Sequence, residues 1–79
     1  MKARIVVTVK PDVLDPQGKA IEGALHALGL EGIANVRQGK IFDITLDGVD
    51  PHKAQVLLQD ASEKLLANVL VEDYVILQD

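Results

Sequence analysis

Arg4-Ile5-Val6-Val7-Thr8-Val9-Lys10-Pro11-Asp12-Val13-Leu14-Asp15-Pro16 is the stretch whose reading decides the fold. Its first seven residues are β-branched and rich in valine, and Ile5, Val7 and Val9 share one face of an extended chain, so they predict a strand. Pro11 ends it, because proline has no N–H to donate to a ladder. Asp15-Pro16 then reads as a helix N-cap followed by proline at the first helical position. Behind it Ile21, Ala24, Leu25 and Leu28 recur at helical spacing, and Gly29 is placed to stop the helix.

The same device returns at Asp50-Pro51. Ala54, Leu57, Leu58, Ala61 and Leu65 make the apolar stripe of a second helix there. Between the helices, residues 33–46 carry a β signal interrupted at Gly39, with Ile41, Phe42, Ile44 and Leu46 as apolar members and Asp47-Gly48 as a turn. Gly39 is either a bulge in one long bent strand, the favoured reading, or the turn of a hairpin. Val69 to Leu77 reads as a last strand with Val69, Val71 and Val75 on one face and Leu70 and Ile76 on the other. Apolar residues on both faces suggest cover from both sides. The expected architecture is an α+β two-layer sandwich: a mainly antiparallel sheet of three strands, with a long bent central strand that splits to make four if Gly39 is a turn, and two helices on one face.

A chain of 79 residues is expected to form one domain, residues 1–79, with a thin core. Small folds compensate with disulfides, metals or partner chains. The chain has no cysteine and only two histidines, His26 and His52, which excludes disulfides, thiolate metal sites and histidine-rich sites. Association with other chains is the remaining support. The formal net charge of −4, the absence of Lys/Arg runs and a complement of two aromatics, Phe42 and Tyr74, argue against nucleic-acid binding. No apolar run approaches the roughly 20 residues that span a bilayer. Met1-Lys2-Ala3-Arg4 leads into a strand-like run and not a signal-peptide core, so a cytoplasmic protein is expected.

Catalytic constellations are missing. Ser62, the only serine, lies mid-helix without a histidine at a neighbouring turn, and Thr8 and Thr45 lie in strands. His26 falls on the polar side of its helix with Glu22, and His52 occupies a first helical turn. Asp43, Asp47 and Asp50 cluster about a turn, and Glu72, Asp73 and Asp79 near the C-terminus, without the spacing of a calcium loop or the signs of a cleft. Gly39-Lys40 is followed by isoleucine, so it makes no phosphate loop. No cofactor, metal or catalytic residue is expected. Gly18, just inside the first helix, serves close backbone approach or is a tolerated N-terminal position; both readings stand.

Lys10-Pro11-Asp12-Val13-Leu14-Asp15-Pro16-Gln17-Gly18, with Glu22-Gly23-Ala24-Leu25 and Leu28-Gly29, resembles the small subunit of phosphoribosylformylglycinamidine synthase, the PurS family. Val36-Arg37-Gln38-Gly39-Lys40 and Leu65-Leu66-Ala67-Asn68 before Val71-Glu72-Asp73-Tyr74 match in the same order. The sequence departs from the pattern at Asp12, where glycine is usual, and at Val69, where proline usually follows Asn68. The resemblance implies an accessory subunit of an ATP-using, glutamine-dependent ligase complex of purine biosynthesis. It implies a homodimer or tetramer that bridges the glutaminase and synthetase subunits and supports ammonia transfer, with no activity of its own. Lys10, Asp15, Gln17, Gly18, Arg37 and Lys40 are the candidates for the partner interface. The alternative is a free-standing ferredoxin-like regulatory domain that binds a small ligand.

Overall fold

The structure is a computed structural model, and it describes residues 1–78. Asp79, named above among the C-terminal acids, lies outside the described residues. The elements run β1 (Lys2–Val9), α1 (Pro16–Ala27), β2 (Gly39–Thr45), α2 (Pro51–Ala61), a π-helical turn (Ser62–Leu66) and β3 (Glu72–Gln78). The strands form one antiparallel sheet in the order β2-β1-β3.

β1 is central because it is apolar enough to be covered. Ala3, Ile5 and Val7 are buried, and Leu58 and Ala67 close over them, with Phe42, Ile44, Leu46, Leu66, Tyr74 and Ile76 packed around. On this helix-bearing face the register aligns Ile5 with Phe42 and Ile76, and Val7 with Lys40 and Tyr74. The opposite face carries Arg4 beside Asp43 and Leu77, and Val6 beside Ile41 and Val75. It has no helical cover, which leaves Ile41, Val75 and Leu77 exposed.

Both aspartate-proline starts form as predicted. Asp15 caps α1 through Gly18 N–H at 3.0 Å, and Asp50 caps α2 through Lys53 N–H at 2.8 Å. Gly29 follows the end of α1 with φ +84°, the left-handed geometry that glycine adopts without penalty.

The second helix departs from the expected stripe at Leu57, which is exposed, and more sharply at Leu65. Ala54 and Leu58 are buried, but Leu65 is 82% exposed, and Leu66 packs on the core instead. The cause is the π turn, closed by Ala67 N–H donating to Ser62 O at 2.8 Å across five residues. A π turn holds one more residue than an α turn, so it moves the inward position on by one. Ser62 is fully buried, and its hydroxyl donates back to Leu58 O at 2.8 Å.

Two further expectations are corrected. The strand signal over residues 33–46 becomes sheet only from Gly39, so Gly39 is neither a bulge within the strand nor a hairpin turn, and the resulting strand lies at an edge. The final strand starts at Glu72, because residues 69–71 form a turn whose Val71 and Glu72 N–H groups donate to Asn68 O. Nor are the two helices equivalent. α2 lies over the sheet, whereas Gly18 is the buried residue of α1, and the core cluster includes no α1 residue among those described.

Candidate functional site

Asp15 explains where β2 begins. Beyond Thr8↔Gly39 the register would next pair Val9 with Gln38. Leu46 N–H donates to Met1 O in the same ladder, so odd residues of β1 bond to β2, and Gln38 N–H would donate to Val9 O. It donates instead to Asp15 Oδ2 at 2.6 Å. Val9 O is taken by Arg37, whose Nη2 donates to Val9 O, Lys10 O and Val13 O at 3.3, 2.7 and 2.9 Å. A carboxylate and a guanidinium thus replace the ladder and turn the chain away from the sheet.

The segment before Gly39 then runs along α1. His26 Nε2 donates to Ile33 O at 2.6 Å, Val36 N–H donates to Glu22 Oε1 at 3.2 Å, and Gln38 N–H reaches Asp15. From Asp15 to His26 the helix covers about 16 Å. The five steps from Ile33 to Gln38 span that distance only when extended, at about 3.3 Å each. This segment has the conformation its β signal predicts, but it lies against helix side chains and not in a sheet. Gly18 is where the two backbones meet: a Cβ there would collide with Val36 O and the Asp15 carboxylate. Of the two readings of Gly18, close approach is the one realised.

The six candidate residues therefore gather at one end of the sheet. Asp15, Gln17 and Lys40 line a groove of about 380 Å³ with Val7, Val9, Pro16, Gln38, Gly39 and Glu72. Gly18 and Arg37 fix its wall. Lys10 stands beside it, its Nζ 2.9 Å from Asp73 Oδ1, and Lys40 Nζ lies 3.8 Å from Glu72 Oε2. Glu22, Gln38 and Glu72 complete this junction and were missed from the sequence, since their partners lie far along the chain and no local motif marks them.

The charged groups of the groove are engaged within the chain. Its buried carboxylate, Asp15, is 5% exposed and has both oxygens committed to backbone N–H groups. The Gln38 and Gly18 hydrogen bonds, helped by the Arg37 charge, hold it below its ordinary pKa of 3.8, so it is a weaker base than a free carboxylate. The acids about the β2–α2 turn have structural work: Asp43 pairs with Arg4 at 2.8 Å and Asp50 caps α2. Among the described residues no group of three potential ligands could hold a metal ion, and no helix is long and apolar enough to cross a membrane.

The chain is thus a small α+β fold with an open three-stranded antiparallel sheet, two helices and a groove at one end of the sheet. Residues 2–78 match the family described as PurS, phosphoribosylformylglycinamidine (FGAM) synthase, and the chain belongs to that family. It is 41% identical over 73 residues to the subunit PurS of this synthase from Bacillus subtilis, covering 92% of this chain and 86% of that one. The Mycobacterium leprae subunit is 42% identical over 79 residues, covering 99% and 95%. The fold matches the B. subtilis PurS crystal structure with a TM-score of 0.86 at 40% identity, over 95% of this chain and 92% of that one. It also matches a chain in the structure of PurLQS from Thermotoga maritima, with a TM-score of 0.85 at 31% identity over 95% and 92%.

Proposed function

We propose that this chain is a cytoplasmic, non-catalytic subunit of an FGAM synthase, acting as a homodimer or tetramer that bridges the glutaminase and synthetase subunits and supports ammonia transfer. Membership of the PurS family supports the complex, and the T. maritima relative within a PurLQS structure supports the partners. The observation that carries the assembly role is the shape of the isolated protomer. Its radius of gyration is 15.9 Å and its extents are 50 × 24 × 15 Å. A compact chain of this length has a radius of about 11–12 Å. The excess reflects α1 and the turn that follows it, where Ile21, Leu28 and Leu30 are exposed and the helix leans on polar contacts with residues 33–38. Such a helix is stable where another chain covers its apolar side. The interface is assigned to the groove end of the sheet, with Lys10, Asp15, Gln17, Gly18, Arg37 and Lys40.

The test is reconstitution with cognate synthetase and glutaminase. Glutamine-dependent amidine formation should require this chain, whereas exogenous ammonia should support the synthetase at least partly without it. The chain alone should hydrolyse neither glutamine nor ATP. Turnover by the pure chain, or glutamine-dependent activity undiminished by its omission, would overturn the reading.

A further inference from the structure

Asp47-Gly48 stands in the β2–α2 connection between two fixed points. Leu46 N–H donates to Met1 O at 2.9 Å, and Asp50 Oδ1 accepts from Lys53 N–H at 2.8 Å. Asp47 and Gly48 between them are exposed. Among the described residues the Asp47 carboxylate makes no hydrogen bond or ion pair, and Gly48 N–H donates to no group. Gly48 has φ +68°, and nothing lies within 4 Å of the position a Cβ would take. An unbonded N–H, an unbonded carboxyl on the residue before it and no Cβ in the way are what closure of a five-membered imide ring needs. The other described aspartates and asparagines each lack one of these. Asp15 and Asp50 precede proline, which has no N–H. Val13 N–H, after Asp12, donates to Lys10 O, and Val36 N–H, after Asn35, donates to Glu22 Oε1. Asp43, Asp60 and Asp73 lie inside β2, α2 and β3, where the regular backbone fixes each N–H. Asn68 Oδ1 accepts from Leu70 N–H, and a β-branched valine follows it.

We propose that Asp47 is a modification site, at which the folded chain converts aspartate to isoaspartate without help from another protein. The Gly48 nitrogen attacks Asp47 Cγ. A Cγ–N bond forms, the Cγ–OH bond breaks, and the hydroxyl leaves as water with the amide proton. Water then opens the cyclic imide. Cleavage of the new Cγ–N bond restores aspartate. Cleavage of the original C–N bond leaves the main chain running through Cβ and Cγ, with the α-carboxylate as a side group. One water is lost and one regained, and no electrons are transferred, so the conversion needs no co-reactant. The product lengthens the connection by one methylene, close before the Asp50 carboxylate that caps α2. It also presents a free α-carboxylate, the group that isoaspartyl methyltransferases esterify with S-adenosylmethionine. This site goes beyond the subunit role proposed above and does not depend on it.

The test incubates the folded wild-type chain in neutral buffer for several weeks. Isoaspartyl methyltransferase with labelled S-adenosylmethionine counts the product, and electron-transfer fragmentation locates it. Isoaspartate should accumulate at residue 47, at a rate within an order of magnitude of that in the guanidinium-unfolded chain, because no contact has to open first. Asp47→Asn, which loses ammonia in place of water, should react faster by an order of magnitude. Asp47→Glu would have to close a six-membered ring, so the product at this position should vanish. That variant keeps the charge and the exposure, and its dichroism and urea midpoint should match the wild type. Wild-type chain without isoaspartate at residue 47, or forming it more slowly than the stated range, would overturn the proposal. So would an Asp47→Asn chain that reacts no faster, or a folded Asp47→Glu chain that takes up as much label as the wild type.

Discussion

Gln38 N–H donates to Asp15 Oδ2 at 2.6 Å, so a side chain from the start of α1 occupies the place of the next rung of the β1–β2 ladder. The stability this carboxylate gives depends on its charge. Its folded pKa is depressed by the Gln38 and Gly18 N–H groups. A depressed carboxylate stabilises the fold above its unfolded value and loses that contribution as pH falls through the folded value. The loss therefore sets in below about pH 4. Asp15→Asn should lower the urea midpoint at neutral pH, and the difference from wild type should shrink as the pH drops to 2. Parallel curves for the two proteins across that range would refute this role for Asp15.

Glycines in the same helix should respond in opposite directions. Gly18→Ala drives a Cβ into Val36 O and should cost about 1–3 kcal/mol, as overpacking does. Gly23 has open space around its Cβ position, so Gly23→Ala should stabilise by about 0.4–1 kcal/mol. Chemical denaturation of the two variants checks both signs.

Arg37 and Lys40 were both expected as candidates for the partner interface, yet their duties within the chain differ. Arg37 joins three carbonyls of the β1–α1 connection, a task that lysine, with its compact head, does not reproduce. Arg37→Lys and Arg37→Ala should both raise proteolysis between Lys10 and Asp15. Lys40→Ala removes a long, exposed ion pair and should change stability by less than about 1 kcal/mol. Effects of equal size from the two alanine variants would contradict this division.

Adjacent leucines test the π turn. Leu66→Ala should destabilise by about 1–3 kcal/mol, and Leu65→Ala by no more than about 0.5 kcal/mol. A regular α turn at this place would reverse the order, so thermal melts of the pair report the local geometry directly.

Much of the fold is legible because its signals are local. The cap-plus-proline pairs, the valine-rich β1 and the glycines at 29 and 48 each act within a few residues, and each forms as read. Residues 33–38 and Leu65 were misplaced for a shared reason. Periodicity predicts conformation or facing, and it cannot say that Asp15 and Arg37 will intercept a ladder or that an extra residue will enter a helical turn. The candidate residues were found together through family resemblance, but their contacts, 23 residues apart for Asp15 and Gln38, are tertiary facts.

The slender attachment of α1 bears on how the protomer moves. A helix that buries little more than Gly18, and is tethered by side-chain hydrogen bonds at Asp15, Glu22 and His26, can open without the sheet melting. In the free protomer its amides should exchange with deuterium through local opening, while those of β1 wait for global unfolding. Assembly would then slow exchange in α1 far more than in the core, which makes this helix a built-in reporter of whether the subunit has found its partners.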